Sequence, residues 1–179
     1  MLIDPLALAV EERTLRQTGI TDGYERLYID HDCIIITPMQ KIVGQMRELS
    51  NRQGSCGLGI GETVRDNQFL KENSLKVADL FNYKTLQSKL AFLGKFKLDH
   101  AEQLVEENPC NQEIQSRYRL LKDANLVQRV LDLYHPGFDA KIHFVSGYDL
   151  PHQTIFEGAQ GVLLDVKYGF LPYVTKTNT

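Results

Sequence analysis

Apolar positions along the chain shift between helical and strand-like spacing, and the shifts mark out its elements. Leu6, Ala9, Val10 and Leu15 follow a rough helical period. Asp4-Pro5 is a suitable start for that helix: Asp4 can cap free backbone N–H groups, and proline fits a first turn whose N–H would be unpaired anyway. Gly19 ends it. No strand is expected upstream, which leaves this helix without a sheet to pack on. Tyr24 to Ile29 and Cys33 to Thr37 read as a pair of strands, with Asp30-His31-Asp32 as the turn between them. Pro38 closes the second.

A helix over Met39 to Leu49 carries Ile42, Val43, Met46 and Leu49 on one face. Asn51 to Gly61 is a glycine-rich loop, and 74–80 is a short apolar stretch. Tyr83 to Glu107 is the longest helical pattern, broken by Pro109. A second long helix is expected over Gln112 to Tyr134, with Ile114, Tyr118, Leu121, Val127, Val130 and Leu131 as its core face and Pro136-Gly137 as its end. Thr154 to Gln160 is the last strand. The fold class is α/β: a mixed sheet with flanking helices in a single unit.

Composition narrows the class without naming a chemistry. The chain has 179 residues, 42% hydrophobic and 24% charged, as in one globular domain. A net charge of −3 gives no general attraction to nucleic acid or anionic membrane. No apolar run approaches the roughly 18 residues of a membrane span. The start, MLIDPLALAVEERT, lacks the basic and then apolar order of a secretory signal. Cys33, Cys56 and Cys110 are odd in number and widely spaced, which suggests a reducing, cytoplasmic setting. No CxxC or HxxxH pair points to zinc.

The richest candidate chemistry lies in Gly54-Ser55-Cys56-Gly57-Leu58-Gly59-Ile60-Gly61-Glu62-Thr63. Its glycines let backbone approach a ligand or adopt positive φ, its N–H groups could form an anion nest, and Ser55 and Thr63 add hydroxyls. The spacing GxGxG is neither the dinucleotide fingerprint nor a Walker A loop. The plain alternative is a flexible surface loop. Cys56 could be a nucleophile, but no sequence-adjacent base supports that. His31, His100, His135, His143 and His152 are scattered and read as surface or helix-end residues. Asp165 and Glu157 could form a carboxylate pair or a metal site, or could cap turns. Lys84, Lys89, Lys95 and Lys97 read as the solvated face of their helix.

Two stretches carry a family likeness. Phe156-Glu157-Gly158-Ala159-Gln160-Gly161, Leu163-Leu164-Asp165, Gly169, Pro172-Tyr173-Val174-Thr175 and Asn178-Thr179 resemble, in order and spacing, the signature of adenylosuccinate synthetase. Leu2-Ile3-Asp4-Pro5, the strand pair and Gly57-Leu58-Gly59-Ile60-Gly61 resemble that family's segment leading into its nucleotide-binding glycine loop. Between about 80 and 150 only helical character is shared. The resemblance implies a part of a larger, P-loop-NTPase-related fold. It also implies the family reaction, in which aspartate is joined to the 6-position of inosine monophosphate (IMP) through a 6-phosphoryl intermediate, with GTP and magnesium.

Carried over by position, the resemblance implies that Gln160 hydrogen-bonds the nucleotide and that Thr175 contacts its 5′-phosphate. Ser55, Cys56 and Gly57 would lie where the family binds phosphate, Cys56 standing in place of a common threonine. Leu70 falls at a family arginine that reaches the nucleotide of the neighbouring subunit, and Arg65 is the nearest substitute. The family's N-terminal phosphate loop, with its catalytic aspartate, metal contacts and lysine, and its C-terminal aspartate- and guanine-binding region are not in this sequence. The chain is therefore expected to be an internal piece or a truncated homologue, inactive alone, with no catalytic or metal-ligating residue of its own. A homodimer or a partner chain supplying the missing regions is the expected assembly. Alternatives are a non-catalytic nucleotide-binding or interaction module, a variant acting on another purine nucleotide such as dGMP, and a fragment without independent function.

Overall fold

A computed structural model of the chain describes residues 1–52, 54–135, 141–146, 153, 155 and 161–175. It begins with a short strand, β1 (Leu2–Ile3), that runs directly into helix α1 (Pro5–Gln17). Asp4 joins them: its Oδ1 accepts from the N–H groups of Leu6 at 3.2 Å and Ala7 at 3.3 Å. The helix therefore does follow a strand, against the expectation. Two residues are too few to show a period of two, so the pattern could not reveal it.

β2 (Tyr28–Asp30) and β3 (Ile34–Ile35) do not pair with each other. β1 pairs in parallel with β3, with Leu2 opposite Ile34 and Ile3 opposite Ile35. β2 pairs in parallel with β4 (His143–Val145), with Ile29 opposite Phe144. The expected strand pair is thus divided between two sheets. The Asp30 carboxylate accepts from the N–H of Asp32 at 2.7 Å, and the Cys33 N–H reaches the Asp30 carbonyl at 3.1 Å, closing a turn that redirects the chain. Residues Tyr24–Arg26 form a 3₁₀ turn in place of the start of a strand. Parallel pairing places the partners far apart in sequence, so local alternation carries no record of it. One antiparallel bridge joins Ile34 to Lys76.

The helices follow capping signals closely. α2 (Pro38–Asn51) starts with a capping box in which the Gln40 N–H donates to Thr37 Oγ1 and the Thr37 N–H donates to Gln40 Oε1. α3 (Ile60–Leu70) follows the glycine loop. α4 (Tyr83–Glu107) is capped by Asn82, and α5 (Gln112–Leu121) by Asn111. α6 (Leu126–Tyr134) is separate from α5, so the long helix expected over 112–134 is two. The Asp123 carboxylate accepts from the Asn125 N–H at 2.9 Å, a local bond that competes with helix continuation.

α2 lies against both α4 and α5, and α4 lies against α6. Their buried faces form one core with Ile35, Met39, Val43, Met46, Leu86, Leu90, Ile114, Leu131 and Tyr134. Ile114, Leu121, Val130 and Leu131 are buried as expected, whereas Ile42, Leu49, Tyr118 and Val127 sit at its margin. Gly94 allows the close approach of α4 to α6, since a Cβ there would stand 2.8 Å from Val127 Cγ2. Among the described residues no helix is long and apolar enough to cross a membrane. The expected strand over 154–160 lies, apart from Ile155, outside the described residues, as does Pro136-Gly137.

Candidate functional site

The glycine stretch is the bridge between the end of α2 and the start of α3. α2 ends at Arg52 in the left-handed region, with φ of 43°. Gly54, Gly57 and Gly59 also have positive φ, of 78°, 69° and 81°. Gly59 is required on two counts, because a Cβ there would stand 3.0 Å from Lys41 Cγ and 3.1 Å from Ile36 Cγ2. Gly61 lies inside the first turn of α3, so the loop ends earlier than composition suggested.

Ser55 and Cys56 are exposed on this loop, and Gly57 is half-buried beside them. Part of the expected anion nest is already filled from within the chain. The Glu48 carboxylate accepts from the N–H groups of Gly54 at 2.8 Å and Ser55 at 3.0 Å. The Gly57 N–H donates to Ser55 Oγ at 3.2 Å. Gln45 Nε2 donates to the Gly57 carbonyl at 3.3 Å, and Gln45 Oε1 accepts from Arg117 Nε at 3.1 Å, which ties the loop to α5.

Behind the loop is a buried ion cluster. Lys97, expected on a solvated face, has a side chain 0% exposed. Its Nζ donates to Glu62 Oε1 at 2.8 Å and to Asp66 Oδ1 at 2.5 Å. It sits in line with Leu86, Leu90 and Leu93 on the inner face of α4 and is tolerated there because two carboxylates meet it. Glu62 Oε2 also accepts from Arg47 Nε at 3.1 Å and from Arg65 Nη1 at 2.6 Å. Asp66 Oδ2 accepts from Gln40 Nε2 at 2.9 Å. Burial pushes Glu62 up, but the Arg47 and Lys97 contacts outweigh it and hold the carboxyl below its ordinary range. For Asp66 burial wins over Lys97, and the carboxyl lies above its ordinary range.

Arg65, the candidate cross-subunit contact, therefore has its guanidinium on Glu62 of its own chain, with its side chain 33% exposed. The sequence reading missed Glu48, Glu62 and Asp66. Glu62 and Asp66 stand four apart, one above the other on a helix, and this signal becomes visible only once 60–70 is read as helical.

At the C-terminal end, Asp165 is buried and closes a turn, its Oδ1 accepting from the N–H groups of Lys167 at 2.6 Å and Tyr168 at 3.0 Å. Thr175 is held to the Leu164 carbonyl, to which its N–H donates at 2.8 Å and its Oγ1 at 3.2 Å. Gln160, Glu157 and His152 lie outside the described residues. His135 packs edge-on against Tyr83, and His143 stacks on Tyr28. His31 packs edge-on against Phe81, and His100 Nδ1 lies 2.8 Å from the Phe96 carbonyl. Among the described residues no three His, Cys, Asp or Glu side chains gather as metal ligands.

A protein-family model described as adenylosuccinate synthetase matches residues 1–179. The chain belongs to the adenylosuccinate synthetase family. It is 31% identical over 188 residues to an adenylosuccinate synthetase of Francisella tularensis subsp. novicida, an alignment covering 100% of this chain and 40% of that protein. An adenylosuccinate synthetase of Francisella philomiragia subsp. philomiragia is 29% identical with the same coverage. The chain thus spans about 40% of the length of these relatives of the synthetase family.

Proposed function

We propose that this chain forms the central part of a purine nucleotide site of the adenylosuccinate synthetase type. Ser55, Cys56 and Gly57 receive the 5′-phosphate of an IMP-like nucleotide, with Thr175 contacting the same phosphate and Gln160 hydrogen-bonding the nucleotide. A planar amide suits a purine edge, and a hydroxyl with glycine N–H groups suits a phosphate. Arg65 is the candidate to reach a nucleotide in a neighbouring subunit. The observation that carries this reading is the family match along residues 1–179, which includes a loop with glycines held in positive φ at Gly57 and Gly59.

The family reaction is GTP-dependent ligation of aspartate to IMP in purine biosynthesis, in the cytoplasm, within a P-loop-NTPase-related fold and a homodimer. When bound, magnesium would neutralise charge on a transferring phosphoryl group. The residues that chiefly hold magnesium and GTP are expected on other parts of the family fold, so this chain alone binds nucleotide without turnover. The test is a calorimetric titration with IMP, paired with an assay of phosphate release from GTP with magnesium and aspartate. Saturable binding without turnover is expected. No binding of IMP or of dGMP would overturn the reading.

A second reading is a non-catalytic nucleotide-binding or interaction module. It is favoured by the Glu48 carboxylate held in the loop's N–H cradle. Turnover that appears when a partner chain with the remaining regions is supplied would exclude it.

A further inference from the structure

We propose that Lys97 is a positioning residue for the glycine loop, acting through Glu62; its bearing on nucleotide binding rests on the function proposed above. Lys97 comes from the middle of α4, and its ammonium spans one turn of α3, from Glu62 to Asp66. Glu62 is the third residue of α3, immediately after the loop. The same carboxylate is held by Arg47 of α2 through both of its oxygens, at 3.1 and 3.3 Å. One buried side chain therefore fixes the start of α3 against α2 and α4 together.

Packing shows why this sets the loop. A Cβ at Gly44 of α2 would stand 3.7 Å from Glu62 Cβ and 3.8 Å from Gly59 Cα, so the start of α3 lies directly on α2. Gly59 is wedged against Lys41 and Ile36. The loop is short and spans two helix ends, so any shift of the α3 start passes into Gly57, Cys56 and Ser55. Apolar groups at the cluster would fill the space but would let the helices slide. An ammonium shared between two carboxylates specifies one register, a use of buried ions better attested than net stabilisation. Glu62 and Asp66 belong to the cluster for this reason, and the phosphate contacts themselves stay with the loop.

The test uses the full chain and the double variant Lys97→Met/Asp66→Leu, which removes the ammonium and one carboxylate while leaving Glu62 with Arg47 and Arg65. Hydrogen exchange over residues 57–63, thermal stability and IMP affinity are read together. The expected result is a melting temperature close to that of the natural chain, with exchange over 57–63 faster by roughly ten-fold, unchanged exchange in the middle of α4, and IMP affinity lower by about ten-fold. Unchanged exchange over 57–63 overturns the proposal. If the natural chain does not bind IMP, the functional reading fails, and exchange alone still decides the role of Lys97. If the double variant does not fold, Glu62→Gln, of the same size, is read by the same exchange criterion.

Discussion

The hydroxyl of Tyr134 donates to the carbonyl of Ile36 at 3.0 Å, a buried bond between residues 98 apart in sequence. It joins the end of α6 to the entry of α2, and burial holds the phenol well above its ordinary range. Tyr134→Phe keeps the ring and leaves that carbonyl without this donor. A loss of about 1–2 kcal/mol is expected in urea unfolding, with an unchanged denaturant slope.

Lys97→Ala removes the ammonium and leaves Asp66 buried with Gln40 but without its cation. A destabilisation of roughly 3–5 kcal/mol is expected, whereas Lys97→Met/Asp66→Leu should be near neutral. Chemical denaturation of both variants checks this. Equal losses in the two would show that volume, and not charge, matters at this site.

The two carboxyls of the cluster respond to acid in opposite senses. Glu62 titrates below its ordinary 4.5 when folded, because the Arg47 and Lys97 contacts outweigh burial. Its contribution to stability is therefore complete above pH 4.5 and lost as pH falls through the folded value. Asp66 titrates above its ordinary 3.8 when folded, so its ionised form costs stability at neutral pH. That cost is relieved as pH falls through the folded value toward 3.8. Urea midpoints from about pH 7 to pH 3 should fall less steeply in Glu62→Gln than in the natural chain, and more steeply in Asp66→Asn.

Glu48 fills N–H groups that a phosphate could use and adds a negative charge beside them. Glu48→Gln keeps an acceptor and removes the charge. Binding of IMP should tighten by roughly three- to ten-fold, the size expected for a like charge a few ångströms away in a solvated site. Weaker binding in this variant would mean that the carboxylate orders the loop for its ligand.

Gly59→Ala places a Cβ at positive φ and against Lys41 and Ile36. A loss of about 1–2 kcal/mol from backbone strain is expected in thermal or urea unfolding, with more from the close contacts. Gly61→Ala meets nothing within 4 Å and should be tolerated.

Helices announced themselves in the sequence chiefly through their apolar faces. Asp4-Pro5 marks a true start, and the apolar patterns over 39–49 and 83–107 lie on α2 and α4, whereas the caps at Thr37, Asn82 and Asn111 emerge only in the structure. Strands did not, because two- and three-residue strands paired in parallel with distant partners leave no local period. The glycine loop was legible from composition, since Gly57 and Gly59 are needed where the backbone turns left-handed. The ion cluster was not. A lysine on a long helix normally points to water, and the two carboxylates that draw Lys97 inward lie on α3, more than thirty residues earlier in the chain. Asp165, open between ligand and cap in the sequence, is bonded to a turn.

The central claim is that the glycine loop and Gln160 serve one purine nucleotide. Calorimetric titration of IMP into the natural chain and into Gln160→Ala tests it most directly. Saturable binding in the natural chain, weakened by about ten-fold or more in Gln160→Ala, is expected from loss of a polar contact to the nucleotide. Equal affinity in both, with both chains folded, would contradict it.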